Sequence, residues 1–280
     1  MKYVIALASI WLLSAAANAT TLKINGSTTV NLPAAEAAEV LRAEKKMDIQ
    51  VDTNGGSSGG ISALGDGLIQ IGMSSKPLSS EDRAKYPQVR FKEIEIGADA
   101  VALIVSKDVW DGGIRSLTKE QIREIYEGRI TNWAQLKGPK QRIVFFNKEP
   151  GRGTWEVFAH WLYGDSKAAP QVSFPEVGGN EETRNKVRST RGAMSQLSAS
   201  WADNTTVFAL AVRTDTGEEI APTAANIANQ KYPLSRPLFL LTNGEPRAEA
   251  KVFIDFILGQ RGQALVRKNG YLSLDQLQAH

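Results

Sequence analysis

The sequence predicts an α/β fold built on an open sheet, arranged as two domains or one large one. Short apolar runs that are typical of strands alternate with helical patterns, and loops rich in Gly, Ser or Thr connect them. A length of 280 residues corresponds to two domains at roughly 150 residues each. A long β-rich run from Phe91 to Val105 is of the kind that crosses between two domains.

The composition excludes several classes of function. The chain is 42% hydrophobic and 22% charged, which is ordinary for a globular protein. It contains no Cys, so it has no disulfide scaffold, no thiol nucleophile and no Cys-ligated metal. His160 and His280 are its two histidines, too few for a His-rich metal site. A net charge of +3 is too small to argue for nucleic acid.

Residues 1–19 are predicted to be a secretory signal peptide. Lys2 supplies a positive charge, Tyr3 to Leu13 an apolar run, and Ala17-Asn18-Ala19 an A-x-A cleavage site. The alternative, a membrane anchor, is disfavoured because the apolar run is too short to span a bilayer. We therefore expect an exported protein that begins at Thr20, periplasmic in a Gram-negative cell, with no Cys to carry a lipid anchor.

The patterns predict the following elements in chain order. Strands are expected at Leu22–Ile24, Ile49–Asp52, Ile69–Gly72, Phe91–Val105, Arg142–Phe146, Val207–Val212 and Leu238–Leu241. Helices are expected from Pro33 through Leu41, around Ile61 and Leu64, after the capping box Thr118–Gln121, over Trp155–Tyr163, and from about Arg247 to Leu258 as the closing element.

Three loops share one design, in which an apolar strand leads through Gly and Ser or Thr into a helix. They are Gly26–Thr29, Gly56–Gly60 and Gly151–Thr154. Free N–H groups and the helix dipole at a helix start attract anions, and such loops gather at the carboxyl ends of strands. A single loop of this kind is better explained as a flexible linker or an ordinary N-cap. Three in one chain favour an anion site.

Two cations flank the predicted start of the Trp155 helix. Lys148 and Arg152 would there oppose the helix dipole, at a cost of ~0.3–1 kcal/mol each at exposed sites. That placement is understandable if an anion binds nearby. The alternative is that both side chains extend into water.

The evidence for an enzyme is weak. The chain has no G-x-S-x-G elbow and no Walker A phosphate loop. His160 lies in a helical run, where packing or surface roles are commoner. Asp99, Asp108 and Asp111 do not match a calcium loop and are interpreted as a solvated domain edge. An aromatic and apolar stripe on the same helix predicts core or interdomain packing: Trp155, Phe158, Trp161 and Leu162. A later basic run predicts a solvated face: Arg184, Lys186, Arg188 and Arg191.

Nearly all of the chain after the leader resembles the phosphate-binding component of bacterial phosphate ABC importers, a type II periplasmic binding protein. Six segments in order carry the resemblance: INGSTTVNLPA (24–34), GGSSGGISAL (55–64), IGMSSKPLS (71–79), LTKEQIREIYEGRITNW (117–133), GRGTWEVF (151–158) and YPLSRPLFLLT (232–242). The resemblance implies two α/β lobes that close on a ligand in the cleft between them. Residues 20–97 and 233–280 would form one lobe and residues 98–232 the other.

The resemblance also implies a site, a partner and a mode of action. The ligand would be phosphate or a related tetrahedral oxyanion, bound by a monomer without cofactor, metal or catalysis, and delivered to an ABC transporter permease. The implied ligand-binding residues are Thr28, Thr29, Ser57, Ser58 and Ser75 from the first lobe and Lys148, Arg152, Gly153 and Thr154 from the second. Two alternatives remain: an anion-sensing or accessory protein that uses the same clamp without a transporter, and a phosphatase-like hydrolase.

The sequence departs from the family pattern at the site itself. Ser75 stands where the best-known members carry an Asp that accepts the proton of hydrogen phosphate, which leaves the choice between phosphate and sulfate open. Lys148 stands where members often carry Arg, and Arg152 where they usually carry Ser, so that one guanidinium has shifted along the loop. The segment Gly192–Gln196 also departs from the family's Gly-Ala-Ile-Gly-Tyr pattern.

Overall fold

The computed structural model describes residues 21–279, so that the predicted signal peptide lies outside the described residues. Within this range the chain forms twelve strands: β1 (Leu22–Gly26), β2 (Ile49–Asp52), β3 (Ile71–Ser74), β4 (Phe91–Ser106), β5 (Ser116–Thr118), β6 (Val144–Lys148), β7 (Glu176–Val177), β8 (Ala193–Ser198), β9 (Val207–Ala209), β10 (Ala211–Arg213), β11 (Glu219–Ile220) and β12 (Ser235–Asn243).

The same range contains eleven α-helices: α1 (Thr28–Lys45), α2 (Gly56–Gly65), α3 (Ser80–Lys85), α4 (Lys107–Asp111), α5 (Lys119–Tyr126), α6 (Gly153–Tyr163), α7 (Asn180–Ser189), α8 (Ala224–Ala228), α9 (Ala248–Leu258), α10 (Gln260–Lys268) and α11 (Leu274–Gln278). Two short 3-10 helices cover Trp133–Leu136 and Ala199–Trp201.

Nine strands form one continuous sheet in the order β2-β1-β3-β12-β4-β8-β6-β7, with β9 also paired to β4. Strand β1 is parallel to β2 and β3, and β6 is parallel to β7 and β8. Antiparallel strands β12 and β4 join these two parallel groups. The predicted α/β class is confirmed. We call the half built on β1–β3 the first lobe and the half built on β6–β8 the second lobe.

Strand β4 passes from one half of the sheet to the other, as the long apolar run predicted. It pairs with β12 over Phe91–Ala100 and with β8 over Val101–Val105. At the change of partner, the backbone of Ala98 exchanges two 2.9 Å hydrogen bonds with Leu272. A Cβ on Gly97 would lie 2.3 Å from the Leu272 carbonyl oxygen, so that the close approach requires glycine here.

All three Gly-rich loops lead directly into helices, as predicted, although the helices begin earlier than expected. Helix α1 begins at Thr28 and not at Pro33, because the Ser27 side chain caps it by accepting from the amides of Thr29 and Val30. Pro33 lies inside the helix, where it removes one hydrogen bond to the carbonyl of Thr29.

Three other element predictions need correction. The third strand is displaced by two residues, to Ile71–Ser74, because its pairing with β1 starts at Ile24 opposite Ile71. The strand expected over Val207–Val212 divides at Leu210, since β9 pairs with β4 whereas β10 pairs with β5 in a separate small sheet. The helix ending at Leu258 does not close the chain, because α10 and α11 follow it.

Each half of the sheet has its own apolar core. In the first lobe, Val30, Leu41 and Phe253 from the surrounding helices bury against the strands. In the second lobe, Trp133 and Phe158 are fully buried. The predicted aromatic stripe of α6 is core along three of its members, with Trp161 partly buried at its edge. The two cores hold the starts of α1 and α2 in the first lobe against the start of α6 in the second.

No helix between residues 21 and 279 combines the length and the apolar character needed to cross a bilayer.

Candidate functional site

The start of helix α1 presents polar groups at the carboxyl end of β1. Ser27 caps the helix, and Thr29 is buried, with 1% of its surface exposed. The hydroxyl oxygen of Thr29 accepts hydrogen bonds from Asn180 Nδ2 at 3.0 Å and Arg236 Nη2 at 3.2 Å. Because donors occupy the lone pairs of this oxygen, its own hydrogen is available to an acceptor in the cleft.

At the start of helix α2 the amides of Gly56 and Ser58 donate to the carbonyls of Thr53 and Gly151, so that the Ser57 amide is the one left for another partner. No side chain caps this helix. Its N-cap is Gly55, in the left-handed conformation at φ 72°. Ser57 is completely buried, and its Oγ accepts from the Ser75 amide at 3.1 Å and lies 3.4 Å from the Ser75 hydroxyl. The two Ser side chains therefore form a hydroxyl pair beside this helix start.

The start of helix α6 meets that hydroxyl pair from the second lobe. Arg152 is its N-cap residue and makes no side-chain cap, so the amides of the first turn are left for another partner. A Cβ on Gly153 would lie 2.5 Å from Ser57 Oγ and 2.7 Å from Ser75 Oγ. Only glycine allows this backbone to approach so closely. Thr154 accepts a 3.0 Å hydrogen bond from Arg236 Nη1.

The three helix starts enclose one small polar cavity between the lobes. Neither a carboxylate nor an apolar side chain is among the residues that line it: Ser27, Thr28, Thr29, Gly56, Ser57, Ser75, Lys148, Arg152, Gly153, Thr154, Gly178 and Asn180. Donors, helix dipoles and cations converge here, which is the chemistry that replaces the hydration shell of an anion.

Eight of the nine residues predicted for the site line this cavity. The exception is Ser58, whose hydroxyl donates to Glu156 Oε1 at 2.8 Å and whose amide donates to the Gly151 carbonyl at 3.0 Å. Both groups of Ser58 are thus used in contacts between α2 and the α6 region. The other four lining residues are not among the predicted site residues: Ser27, Gly56, Gly178 and Asn180.

Arg236 and Asp99 form a buried ion pair behind the cavity. Their side chains are 1% and 2% exposed, and Arg236 Nη2 lies 2.8 Å from Asp99 Oδ2. The interpretation of Asp99 as part of a solvated edge is therefore wrong, because the register of β4 and β12 places it directly opposite Arg236. Besides Thr29 and Thr154, the guanidinium donates to Ser75 Oγ at 3.3 Å. It fixes hydroxyls from both lobes.

The remaining carboxylates of the predicted edge are engaged elsewhere. Asp108 Oδ2 accepts from the Gly192 amide at 3.0 Å, and Asp111 pairs with Lys107 on the surface.

Lys148 and Arg152, the predicted cations, both reach the cavity but differ in their partners. Arg152 forms an ion pair with Glu149, at 2.7 Å. Lys148 Nζ donates to the carbonyls of Gly178 and Gly179, at 2.8 and 3.1 Å, and to Asn180 Oδ1 at 3.3 Å. Burial, together with the charges of Arg152 and Arg236, lowers the pKa of Lys148 well below its usual value.

A second group of charges holds the lobes together beside the cavity. Lys76 Nζ lies 2.9 Å from Glu156 Oε2 and 2.7 Å from Asp82 Oδ2. Burial disfavours the charged form of Lys76, but Glu156 and Asp82 outweigh it and raise the pKa of this lysine. The ammonium therefore links the first lobe to helix α6 of the second. We call Lys76, Asp82, Glu156 and Ser58 the interlobe latch.

His160 is not among the residues that line the cavity. It is exposed on α6. Between residues 21 and 279, no three His, Asp or Glu side chains are grouped so that they could hold a metal ion.

Fold and cavity together define the class of two-lobed substrate-binding proteins. Residues 14–261 match the model of the PBP superfamily domain, which is most of the chain. The chain therefore belongs to the PBP superfamily, and its relatives place it among the phosphate-binding components of ABC importers, a group of binding proteins and not of enzymes.

The relatives are similar over most of their length. The phosphate-binding protein PstS of Bacillus subtilis is 27% identical, with 91% of this chain and 83% of the relative covered. The PstS of Borreliella burgdorferi is 28% identical, with 90% of each covered. A phosphate ABC transporter substrate-binding protein of Clostridium perfringens, solved with bound phosphate, is 31% identical over 91% of this chain and 100% of that one, with a TM-score of 0.80. An ABC-type phosphate transport receptor of Vibrio cholerae is 26% identical over 91% of this chain and 100% of that one, with a TM-score of 0.69.

Proposed function

We propose that this protein captures inorganic phosphate between its lobes and delivers it to an ABC importer. The observation that carries the proposal is the meeting of three helix starts, with their hydroxyls and cations, around a cavity without a lining carboxylate. A relative of 31% identity was solved with phosphate bound, which supports this ligand over other small anions.

The predicted site residues would contribute both side-chain and backbone hydrogen-bond donors to the anion. Thr28, Thr29, Ser57 and Ser75 would donate from the first lobe, and Gly153 and Thr154 would donate their amides from the second. Lys148 and Arg152 would supply positive charge. Arg236 and Asn180 would hold the hydroxyl of Thr29, and Ser58 would act through the interlobe latch.

Closure of the lobes would dehydrate the anion and exchange its water for these donors. We place the lobes at residues 20–97 with 233–280 and at 98–232. The crossing of β4 near Gly97 and the return of the chain into β12 at Ser235 support these boundaries.

We further propose that the protein acts as a periplasmic monomer without a lipid anchor, exported by the leader of residues 1–19 and docking on a membrane permease. The A-x-A site at Ala17–Ala19 and the absence of Cys from the sequence support this location.

Calorimetric titration of the protein with phosphate and with sulfate tests the proposal. The protein is first unfolded in guanidinium and refolded, so that any anion carried through purification is removed. We expect heat of binding with phosphate, and weaker binding in Ser57→Ala, whose hydroxyl lies at the α2 start. Absence of heat with both anions would exclude the proposed function.

A further inference from the structure

The cavity offers many hydrogen-bond donors and few acceptors. None of the twelve residues that line it, all within the described range 21–279, is an Asp or a Glu. Six of them carry hydroxyl groups: Ser27, Thr28, Thr29, Ser57, Ser75 and Thr154. Hydrogen phosphate and sulfate are both tetrahedral dianions, but hydrogen phosphate carries an O–H that needs an acceptor and sulfate does not. The acceptors of the cavity therefore decide between the two anions.

Two of these hydroxyl oxygens already accept two hydrogen bonds each. Ser27 Oγ accepts from the amides of Thr29 and Val30, at 3.2 and 3.5 Å. Thr29 Oγ1 accepts from Asn180 Nδ2 and Arg236 Nη2, at 3.0 and 3.2 Å. With both lone pairs engaged, these hydroxyls have only their hydrogens left for a ligand. They suit a bare ligand oxygen and offer nothing to a ligand proton.

Three further hydroxyl oxygens accept from N–H donors but are not filled by them. The Ser75 amide donates to Ser57 Oγ at 3.1 Å. Arg236 Nη1 donates to Ser75 Oγ at 3.3 Å and to Thr154 Oγ1 at 3.0 Å. Such a hydroxyl can turn its hydrogen towards a bare oxygen or its second lone pair towards a protonated one. Ser57 and Ser75, 3.4 Å apart with either able to donate to the other, can adjust together to both forms of ligand.

The lysine charge at the cavity does not select for a ligand proton either. Lys148 Nζ uses its three ammonium hydrogens on neutral oxygens, which are the carbonyls of Gly178 and Gly179 and the side-chain oxygen of Asn180. It therefore contributes positive charge, which attracts every dianion alike. The same contacts engage oxygens of Gly178 and Asn180, both lining residues, as acceptors of this ammonium ion.

Two carboxylates lie beside the lining residue Gly178, and both are already engaged. A Cβ on Gly178 would lie 3.2 Å from Glu149 Oε2 and 3.3 Å from Glu182 Oε2. The Glu149 oxygen accepts two N–H groups of Arg152, at 3.0 and 2.7 Å. The Glu182 oxygen accepts the Gly178 amide at 2.9 Å. Neither Glu lines the cavity, so a ligand proton meets neutral acceptors there.

We propose, on the basis of the function proposed above, that this site binds tetrahedral dianions with or without a proton, and that Ser75 is the residue that gives it this breadth. Sulfate is then bound within about tenfold of phosphate. A carboxylate at this position would accept the proton of hydrogen phosphate and repel a bare sulfate oxygen. The Ser75 hydroxyl neither requires the proton nor repels the oxygen.

Calorimetry on the native protein tests the ligand class. The refolded, anion-free protein is titrated with each anion above the second pKa of phosphate, where both anions are dianions. We expect dissociation constants within about tenfold of each other, and suppression of the phosphate heat by excess sulfate. A preference for phosphate of more than about tenfold, or phosphate heat that sulfate leaves unchanged, would overturn the inference and leave the proposed function intact. Absence of phosphate binding would overturn the proposed function, and this inference with it.

A matched pair of variants tests the role of Ser75. Ser75→Asp and Ser75→Asn introduce side chains of the same size, of which only the first is charged. We expect Ser75→Asp to weaken sulfate binding at least about tenfold more than phosphate binding, because of the like charges. Ser75→Asn should weaken both to a similar extent. Equal losses of the two anions in Ser75→Asp would exclude Ser75 as the specificity-determining residue.

Discussion

At the scale of single residues, Arg236 shows how a side chain outside the cavity can organise its lining. A guanidinium holds its N–H donors in one rigid plane, so that several acceptors can be fixed at once. Here they are Asp99 and the hydroxyls of Thr29, Ser75 and Thr154. Since these oxygens accept from Arg236, their hydrogens can point towards a ligand. The ion pair is thus a means of orienting hydroxyl donors.

Replacement of Arg236 by Met tests this role. The change removes the donors and leaves Asp99 buried without its partner, so we expect phosphate affinity to fall by roughly 10- to 100-fold, or about 1.5–3 kcal/mol. The free energy of unfolding should fall by about 3–5 kcal/mol, as for other broken buried pairs. Calorimetry and thermal unfolding measure the two effects. Arg261→Met is the control, because Arg261 pairs with Glu44 on the surface; native affinity in Arg236→Met would contradict the role.

Gly153→Ala tests the close approach of the α6 start to the hydroxyl pair. The added Cβ would lie 2.5 Å from Ser57 Oγ, so either the hydroxyls or the helix must shift. A shift of this size at a binding geometry should weaken phosphate binding at least tenfold, with the fold retained. Gly164→Ala, at the other end of α6, has open space around its Cβ. It should lower the free energy of unfolding without changing phosphate affinity. Equal affinities in the two variants would show that the approach is unimportant.

The cavity-lining residues were predictable from sequence to a greater extent than the residues behind them. Ser57 and Thr154 sit in local strand–loop–helix motifs, which can be recognised from consecutive residues. Asp99 and Arg236 are separated by 137 positions and meet only through the register of β4 and β12. In the sequence each of the two appears only as a single charged residue within an apolar strand. A pairing that depends on register across a whole sheet could not be inferred from that signal.

At the scale of elements, helices α2 and α6 face each other across the cleft and are tied by the interlobe latch. The Ser58 amide donates to the Gly151 carbonyl, and Lys76 bridges to Glu156. The cap of α3 takes part as well, because Asp82 accepts from both Lys76 and the Ser79 amide. These contacts favour the closed arrangement without touching the cavity, so they are expected to set the rate of ligand release.

Glu156→Gln isolates that contribution. The amide keeps the size of the side chain but removes its charge from Lys76, whose pairing is then left to Asp82. We expect phosphate to dissociate at least several-fold faster, because both side chains of this pair are buried and the change leaves Lys76 less compensated, with a smaller change in the association rate. Stopped-flow release of phosphate measures this rate. Glu120→Gln, in the exposed pair with Arg123, is the matched control; equal release from both variants would exclude a latch.

Element boundaries were predictable where a local signal decides them and not where a partner does. The capping box at Thr118–Gln121 and the apolar run of β4 were both placed correctly. The division of the run after Val207 at Leu210 follows from a change of partner strand, which leaves no mark in a continuous apolar sequence. The sequence pattern predicts that α1 begins at Pro33, but the cap that Ser27 provides starts the helix at Thr28.

At the scale of the whole molecule, the ligand cavity exists because two rigid cores meet along it. Strands β4 and β12 are shared by both halves of the sheet, so that movement between the lobes must be accommodated there. Contacts across the cleft involve side chains and loop backbone, and so they can break without loss of either core. This arrangement predicts that exchange of the anion requires the lobes to separate.

A disulfide across the cleft tests whether the lobes must separate. Because the sequence contains no Cys, an introduced pair of cysteines has no native thiol to react with. A Cβ on Gly151 would lie 3.4 Å from Ser58 Cβ, close to the ~3.5–4.5 Å typical of disulfides. In the oxidised double variant Ser58→Cys, Gly151→Cys, we expect phosphate bound beforehand to survive dialysis and phosphate added afterwards to be excluded. Reduction should restore exchange. Gly151→Cys alone controls for strain at φ 86°. Free exchange in the oxidised protein would mean that the anion reaches its site without opening of the lobes.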